Sequence, residues 1–335
     1  MYGHLNMLIV YPFFTQSPHA VFRQALTFLS IDDITNNATS LSAQEVIVMD
    51  FHSDRIDLKA LHKVQVGILH ELDRVCKKNG IRYYLAYGTL IGAIRHNGII
   101  PWDDDIDVVV SRSDYEKLME LPASEWQEPF FLQSEKTSPN ACKCFMKLKN
   151  SNTTLIEKEN QHRDINHGIS IDIYPLVNLA DDPAKRKAQM RYALAYMLFV
   201  ENHPARNHGT FYKMASAMVL GVLPSFAKNK IKRFCERKML AYQNVSTEDC
   251  FALSGLAGLV AVKNRYFQEA IPHAFEDGMF TIPSGYHEWL TTDYGENYMT
   301  PPPESERGVK LDNFVLVDTE HSYKIYKNKY YFVKD

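Results

Sequence analysis

"GTLIGAIRHNGIIPWDDDIDVVV", residues 88–110, decides how the rest of the chain is read. Asp103, Asp104, Asp105 and Asp107 crowd together after Pro101-Trp102 and run straight into Val108, Val109 and Val110. Three successive β-branched residues beyond a proline break predict a strand with a buried far end. Along a strand, side chains two apart point the same way. Where the chain is already extended, Asp103, Asp105 and Asp107 therefore share one face, with Asp104 and Ile106 on the other. Carboxylates this close raise one another's pKa unless a cation intervenes. A hard divalent ion relieves the repulsion, and Mg²⁺ in particular takes one or two carboxylates together with phosphate oxygens. A solvated acidic loop is the plainer reading, but Trp102 and the triple valine anchor the cluster at a sheet edge. An EF-hand is excluded, because Val108 stands where the calcium loop needs glycine and Asp114 where it needs glutamate.

Upstream, Leu61, Val64, Ile68, Leu72 and Val75 recur at helical spacing. Asp57 is placed to cap that helix at its start, Lys77 and Lys78 sit in its last turn, and Gly80 suits its end. "IRYYLAY" (81–87) reads as a strand, and Gly88-Thr89 turns the chain into a short helix, "LIGAIRH". Glycine lets a ligand approach the backbone, and the free N–H groups of a helix start attract phosphate. Neither a P-loop nor a dinucleotide fingerprint is present. Gly88 and Thr89 therefore gain meaning only from the acidic strand that follows.

Downstream, "CFMKLKN" (144–150) and "HGISIDIYPL" (167–176) alternate with period two. In the second, Ile169, Ile171 and Ile173 face one way and Ser170, Asp172 and Tyr174 the other. An acid inside so apolar a strand marks Asp172 as a third active-site carboxylate, either a metal ligand or a general base. Lys147, which shares a face with Lys149 and Phe145, and Arg95, which ends the short helix, are candidate cations for donor phosphates. Residues 181–243 read as mostly helical, "AFEDGMFTI" (274–282) as a hairpin, "YHEWLTTDY" (286–294) as a helix, and the tail, 309–335, as edge strands. Residues 1–50 form an extension to which no role is assigned. The sum is an α+β fold, a small mixed sheet followed by a helical C-terminal half, without regular βαβ alternation.

The chain has 335 residues and a net charge of −3, which argues against a nucleic-acid partner held by phosphate neutralisation. Its scattered cysteines, with Cys142 and Cys144 forming only a C-x-C, suit a reducing cytoplasm better than a disulfide or zinc framework. No run approaches the ~20 apolar residues of a membrane span. "MASAMVLGVLPSFA" (214–227) reads as a core or interfacial helix, so peripheral contact with the inner face of a membrane stands as one expectation.

With these pieces in place the sequence resembles the LicD family, a group of phosphocholine transferases related to the fukutin-type ribitol-phosphate transferases. The matching blocks are "YLAYGTLIGAIRHNGIIPWDDDIDVVVSRSDYEKL" (84–118), "FMKLKNSNTTLIE" (145–157), "HGISIDIYPL" (167–176) and "FTIPSGYHEWLTTDYGENYMTPPPESER" (280–307). The resemblance spans about 57–308 and implies a nucleotidyltransferase-like core over about 81–176, with a helical part over about 181–300. It implies Gly88-Thr89 as the phosphate turn, Asp105 and Asp107 as the D-x-D, and Asp172 as the third acid, with Asp103 assisting at Mg²⁺ or Mn²⁺. The implied reaction moves phosphocholine, or a related alcohol phosphate, from a CDP-activated donor such as CDP-choline to a glycan or glycolipid hydroxyl, releasing CMP. The implied setting is modification of a cell-surface glycan such as teichoic acid or lipopolysaccharide. The alternatives are a nucleotidyltransferase, a D-x-D nucleotide-sugar glycosyltransferase and a non-catalytic binding protein.

Overall fold

The computed structural model describes residues 57–202, 209–255, 259–308 and 313–333. The N-terminal extension read from the sequence lies outside the described residues. The first described helix, α1 (Leu58–Asn79), starts where Asp57 accepts the amides of Lys59 and Ala60 at 3.0 and 3.2 Å. It stops where Gly80 takes a left-handed conformation, φ 61°, and donates its N–H to the Cys76 carbonyl. A side chain there would meet backbone strain, so the glycine fixes the helix end. The face carrying Leu61, Ile68, Leu72 and Val75 is fully buried and packs on two strands of the sheet.

That sheet has seven strands. Its main path runs β1 (Tyr83–Leu85), β2 (Asp107–Ser111), β6 (Ile169–Asn178), β4 (Met146–Asn150) and β3 (Phe130–Gln133). The strand β6 is the spine. Its residues Asp172–Leu176 pair in parallel with β2 along one edge. Along the other edge, Ile169–Ile173 pair antiparallel with β4, and Leu176–Asn178 pair with β7 (Asp249–Ala252). The last of these continues to β8 (Val262–Lys263). Val108, Val109, Val110, Ile169, Ile171 and Ile173 have no exposed surface. Burial of each such side chain contributes ~1.5–3 kcal/mol, which explains why both central strands read as apolar runs.

Between β1 and β2 lies α2 (Tyr87–His96), and α3 (Arg112–Glu120) follows β2 with Ser111 capping it at the Asp114 amide. Helices α4 (Pro183–Glu201), α5 (Gly209–Val222) and α6 (Ser225–Met239) fill the stretch expected to be helical. The chain then differs from a purely helical C-terminal half. From Asp249 it returns to the sheet through β7 and β8, whose four and two residues are too short to show a period. The hairpin β9 (Ala270–Phe275) and β10 (Gly278–Pro283) turns at Glu276-Asp277, and α7 (Tyr286–Tyr294) follows. In the tail, β11 (Phe314–Asp318) pairs with β5 (Thr154–Glu157) as a separate two-stranded sheet.

Candidate active site

The parallel pairing of β2 with β6 sets Asp107 directly opposite Asp172. On the other side of β6, Asp172 is opposite Lys147 of β4, and Lys147 is opposite Gln133 of β3. One row across four strands thus presents two carboxylates and an ammonium on a common face. Tyr174, two residues beyond Asp172, places its hydroxyl 3.2 Å from both Asp107 Oδ1 and Asp172 Oδ2. Its single proton serves one of them at a time. Lys147 Nζ lies 3.0 Å from Asp172 Oδ1 and 3.5 Å from Glu157 Oε1. Burial alone would lower the Lys147 pKa, but Asp172 and Glu157 outweigh it and hold the ammonium above its usual range. Lys147 in turn draws Glu157 down to about 2. Glu157 was not singled out in the sequence, although it ends the matching block 145–157. Nothing in a one-strand pattern says that β5 delivers it to Lys147.

The acidic loop approaches the same place from the start of β2. One carboxylate oxygen from each of Asp103, Asp104 and Asp105 lies within 4.8 Å of the others. Strand alternation does not reach this segment, because the ladder begins at Asp107. Asp104 therefore joins its neighbours here and does not face away from them. The loop is held from behind by α1: His62 Nε2 bonds the Asp103 carbonyl at 2.8 Å, and Gln65 donates to the Asp104 carbonyl at 2.8 Å.

The electrostatics record a repulsion that the protein's own groups leave in place. Burial, then Asp104, pushes Asp103 up to about 6. Asp105 is pushed up to about 8 by desolvation and by Asp103, Asp104 and Asp172. Its side chain still reaches solvent, and three acidic neighbours crowd it there. Asp107 is raised well above the carboxylate range by burial, then by Asp105 and Asp172. An all-oxygen set of mutually repelling carboxylates fits a hard divalent cation.

Gly88 and Thr89 lie inside the first turn of α2, one residue later than a turn preceding the helix; Ala86 is the residue that precedes it. The Thr89 hydroxyl accepts the Asp107 amide at 2.9 Å, tying the helix start to the strand start. A Cβ on Gly88 would come 2.6 Å from Asp103 Oδ2, so only glycine permits this approach. Arg95 is at the other end of α2, about 10 Å along the axis from Gly88. It donates to the Tyr298 carbonyl at 3.0 Å and sits 6.0 Å from the Trp102 ring centroid. Arg307, unnoticed in the sequence, lies 4.7 Å from the same ring. Both cations therefore flank Trp102, the residue next to Asp103.

Residues 80–190 match the model of the LicD/FKTN/FKRP nucleotidyltransferase domain. The chain is 26% identical over 261 residues to the lipopolysaccharide cholinephosphotransferase LicD of Haemophilus influenzae, covering 76% of this chain and 95% of that protein. An uncharacterised protein of Rickettsia prowazekii is 32% identical over 129 residues, 35% of this chain and 46% of its own length. Human ribitol 5-phosphate transferase FKRP is 41% identical over 51 residues, 15% of this chain and 10% of its own.

Proposed function

We propose that this chain, which carries a LicD-family nucleotidyltransferase domain, is a metal-dependent phosphotransferase. It would move phosphocholine, or a related alcohol phosphate, from a CDP-activated donor to a hydroxyl of a cell-surface glycan, releasing CMP. The observation that supports this most is the pairing of Asp107 with Asp172 beside the Asp103–Asp105 cluster. The Haemophilus cholinephosphotransferase and the human ribitol 5-phosphate transferase supply the choline and ribitol headgroups as the choices to test.

Asp103, Asp105, Asp107 and Asp172 are the residues that would hold Mg²⁺ or Mn²⁺, which would supply neutralisation of the donor diphosphate and of charge developing on the transferred group. Gly88 and Thr89 open a helix whose first amides have no intrahelical partner and can bind a phosphate oxygen. Asp172 has one oxygen on Lys147 and the other on Tyr174. Held in this way by Lys147 and Tyr174, Asp172 acts as ligand and Lys147 as the countercharge that fixes it. The acceptor oxygen forms its bond to the distal phosphorus as the bond to the CMP oxygen breaks, and the hydroxyl proton leaves to solvent. Positioning and charge carry most of the acceleration in such a transfer.

A screen of CDP-choline, CDP-ribitol and CDP-glycerol with Mg²⁺ and an acceptor glycan should give CMP from at least one donor. Pyrophosphate from a nucleoside triphosphate, with no CMP from any CDP donor, would instead assign a nucleotidyltransferase.

No helix among the described residues is long and apolar enough to cross a membrane. We place the protein in the cytoplasm at the membrane surface. The support is the exposed apolar line of Met214, Met218 and Val222 on α5, continued by Phe226 and followed by Lys228 and Lys230.

A further inference from the structure

Tyr87 carries a backbone conformation that side chains rarely adopt, φ 49°, at the junction of β1 and α2. For a bulky aromatic residue this is a true outlier, held only because its surroundings determine it, and such strain gathers at ligand sites. The conformation puts its ring between two others. The Tyr174 ring centroid is 5.9 Å away and the Trp289 centroid 5.7 Å, the latter at 64° to Tyr87. Tyr87 and Trp289 thus form an aromatic corner one residue removed from the hydroxyl that reaches Asp107 and Asp172.

The corner lines a cavity of about 70 Å³ together with Asp293, and with Leu176, Ala252 and Val262 as aliphatic walls. Trp289 Nε1 donates to Asp293 Oδ2 at 2.9 Å. The other oxygen, Asp293 Oδ1, is buried with no hydrogen-bond donor among the described residues. Burial pushes this carboxyl up to about 6. Aromatic faces, aliphatic walls and one carboxylate oxygen are the chemistry that receives a cation lacking N–H groups. A polyol fits poorly: beyond Asp293 and Ser254 its hydroxyls would meet mainly apolar walls, and each buried polar group left unpaired costs about 1–3 kcal/mol.

We propose that the cavity between Tyr87, Trp289 and Asp293 is the donor headgroup subsite, and that it takes a quaternary ammonium cation. The inference rests on the phosphotransfer reading above only for its meaning, since cation binding is measurable without turnover. Trp289 and Asp293 are then specificity residues for a methylated headgroup over a sugar alcohol.

The test is a titration of the full chain with choline chloride and with tetramethylammonium chloride, followed by saturation transfer to the methyl signal, with glycerol as control. Both cations should bind and glycerol should not. Asp293→Asn, which keeps the shape and can still accept from Trp289, should weaken both about tenfold, as expected for loss of a partly desolvated charge partner. Trp289→Phe, checked for an unchanged melting profile, should weaken both as well. No binding of either cation to the wild type, equal binding of glycerol, or undiminished binding by Asp293→Asn would overturn the proposal. Failure of every CDP donor to yield CMP would end the phosphotransfer reading instead, and leave the cation measurement to be judged alone.

Discussion

A methyl group added at Gly88 would have to displace the Asp103 carboxylate, because the added carbon would lie 2.6 Å from Oδ2. Asp103 Oδ2 is the end of a short side chain, so the conflict can be relieved by turning that chain away, at small cost to folding. Gly88→Ala should therefore leave the melting temperature within a few degrees of wild type. It should lower CMP release by about tenfold or more, because misplacing a positioned group is felt mainly in the transition state. Equal activity in the variant would show that the Gly88–Asp103 approach has no role. The same residue explains what a sequence can and cannot say. The glycine is visible, and so is its place near a strand-to-helix junction, one residue off. The atom it makes room for is fifteen residues on, and that closeness is a property of the folded loop.

At the scale of elements, the apolar core of β2 and β6, the caps of α1 and the existence of the β9–β10 hairpin, whose turn sits at Glu276-Asp277, one residue before the expected Asp277-Gly278, could be read directly, because each is set by neighbours in sequence. The register between β2 and β6 could not. The sequence marks Asp107 and Asp172 as unusual acids, but their direct pairing follows from a long parallel connection that no local period encodes. Glu157 and Tyr87 were missed for the same reason. The tail illustrates it again: β11 docks on β5, and His167 packs against Tyr331 at 4.4 Å and Tyr323 at 6.2 Å. Burial lowers His167 to about 4, with the Arg163 carbonyl opposing. Its folded pKa lies below the ordinary value, so the unfolded chain binds more protons between about pH 4 and 6.5. Stability contributed here is present above that window and lost as pH falls through it, by about 2 kcal/mol between pH 7 and 5. Limited proteolysis should accordingly release the tail faster at pH 5, and His167→Phe should remove that acceleration. An identical acid response in the variant would assign it to other groups.

For the whole molecule, the exposed apolar line on α5 and α6 matters beyond the active site. Met214, Met218, Val222 and Phe226 are 68%, 70%, 74% and 75% exposed and recur at four-residue spacing. Co-sedimentation with anionic vesicles should be strong for wild type. It should fall severalfold for a Met218→Ser, Val222→Ser, Phe226→Ser variant with normal melting; unchanged sedimentation would remove the membrane from the account. In the proposed reading, the acidic cluster, the start of α2 and the Asp107–Asp172 row would together hold a cation shared with a donor diphosphate. The most direct measurement is CMP release from CDP-choline by chelator-treated protein as Mg²⁺ is added back, in wild type and in Asp107→Asn. We predict no release without the ion, recovery on its addition, and a loss of about a hundredfold or more in the variant at an unchanged or higher melting temperature. Release that is indifferent to Mg²⁺, or a fully active Asp107→Asn, would contradict the account.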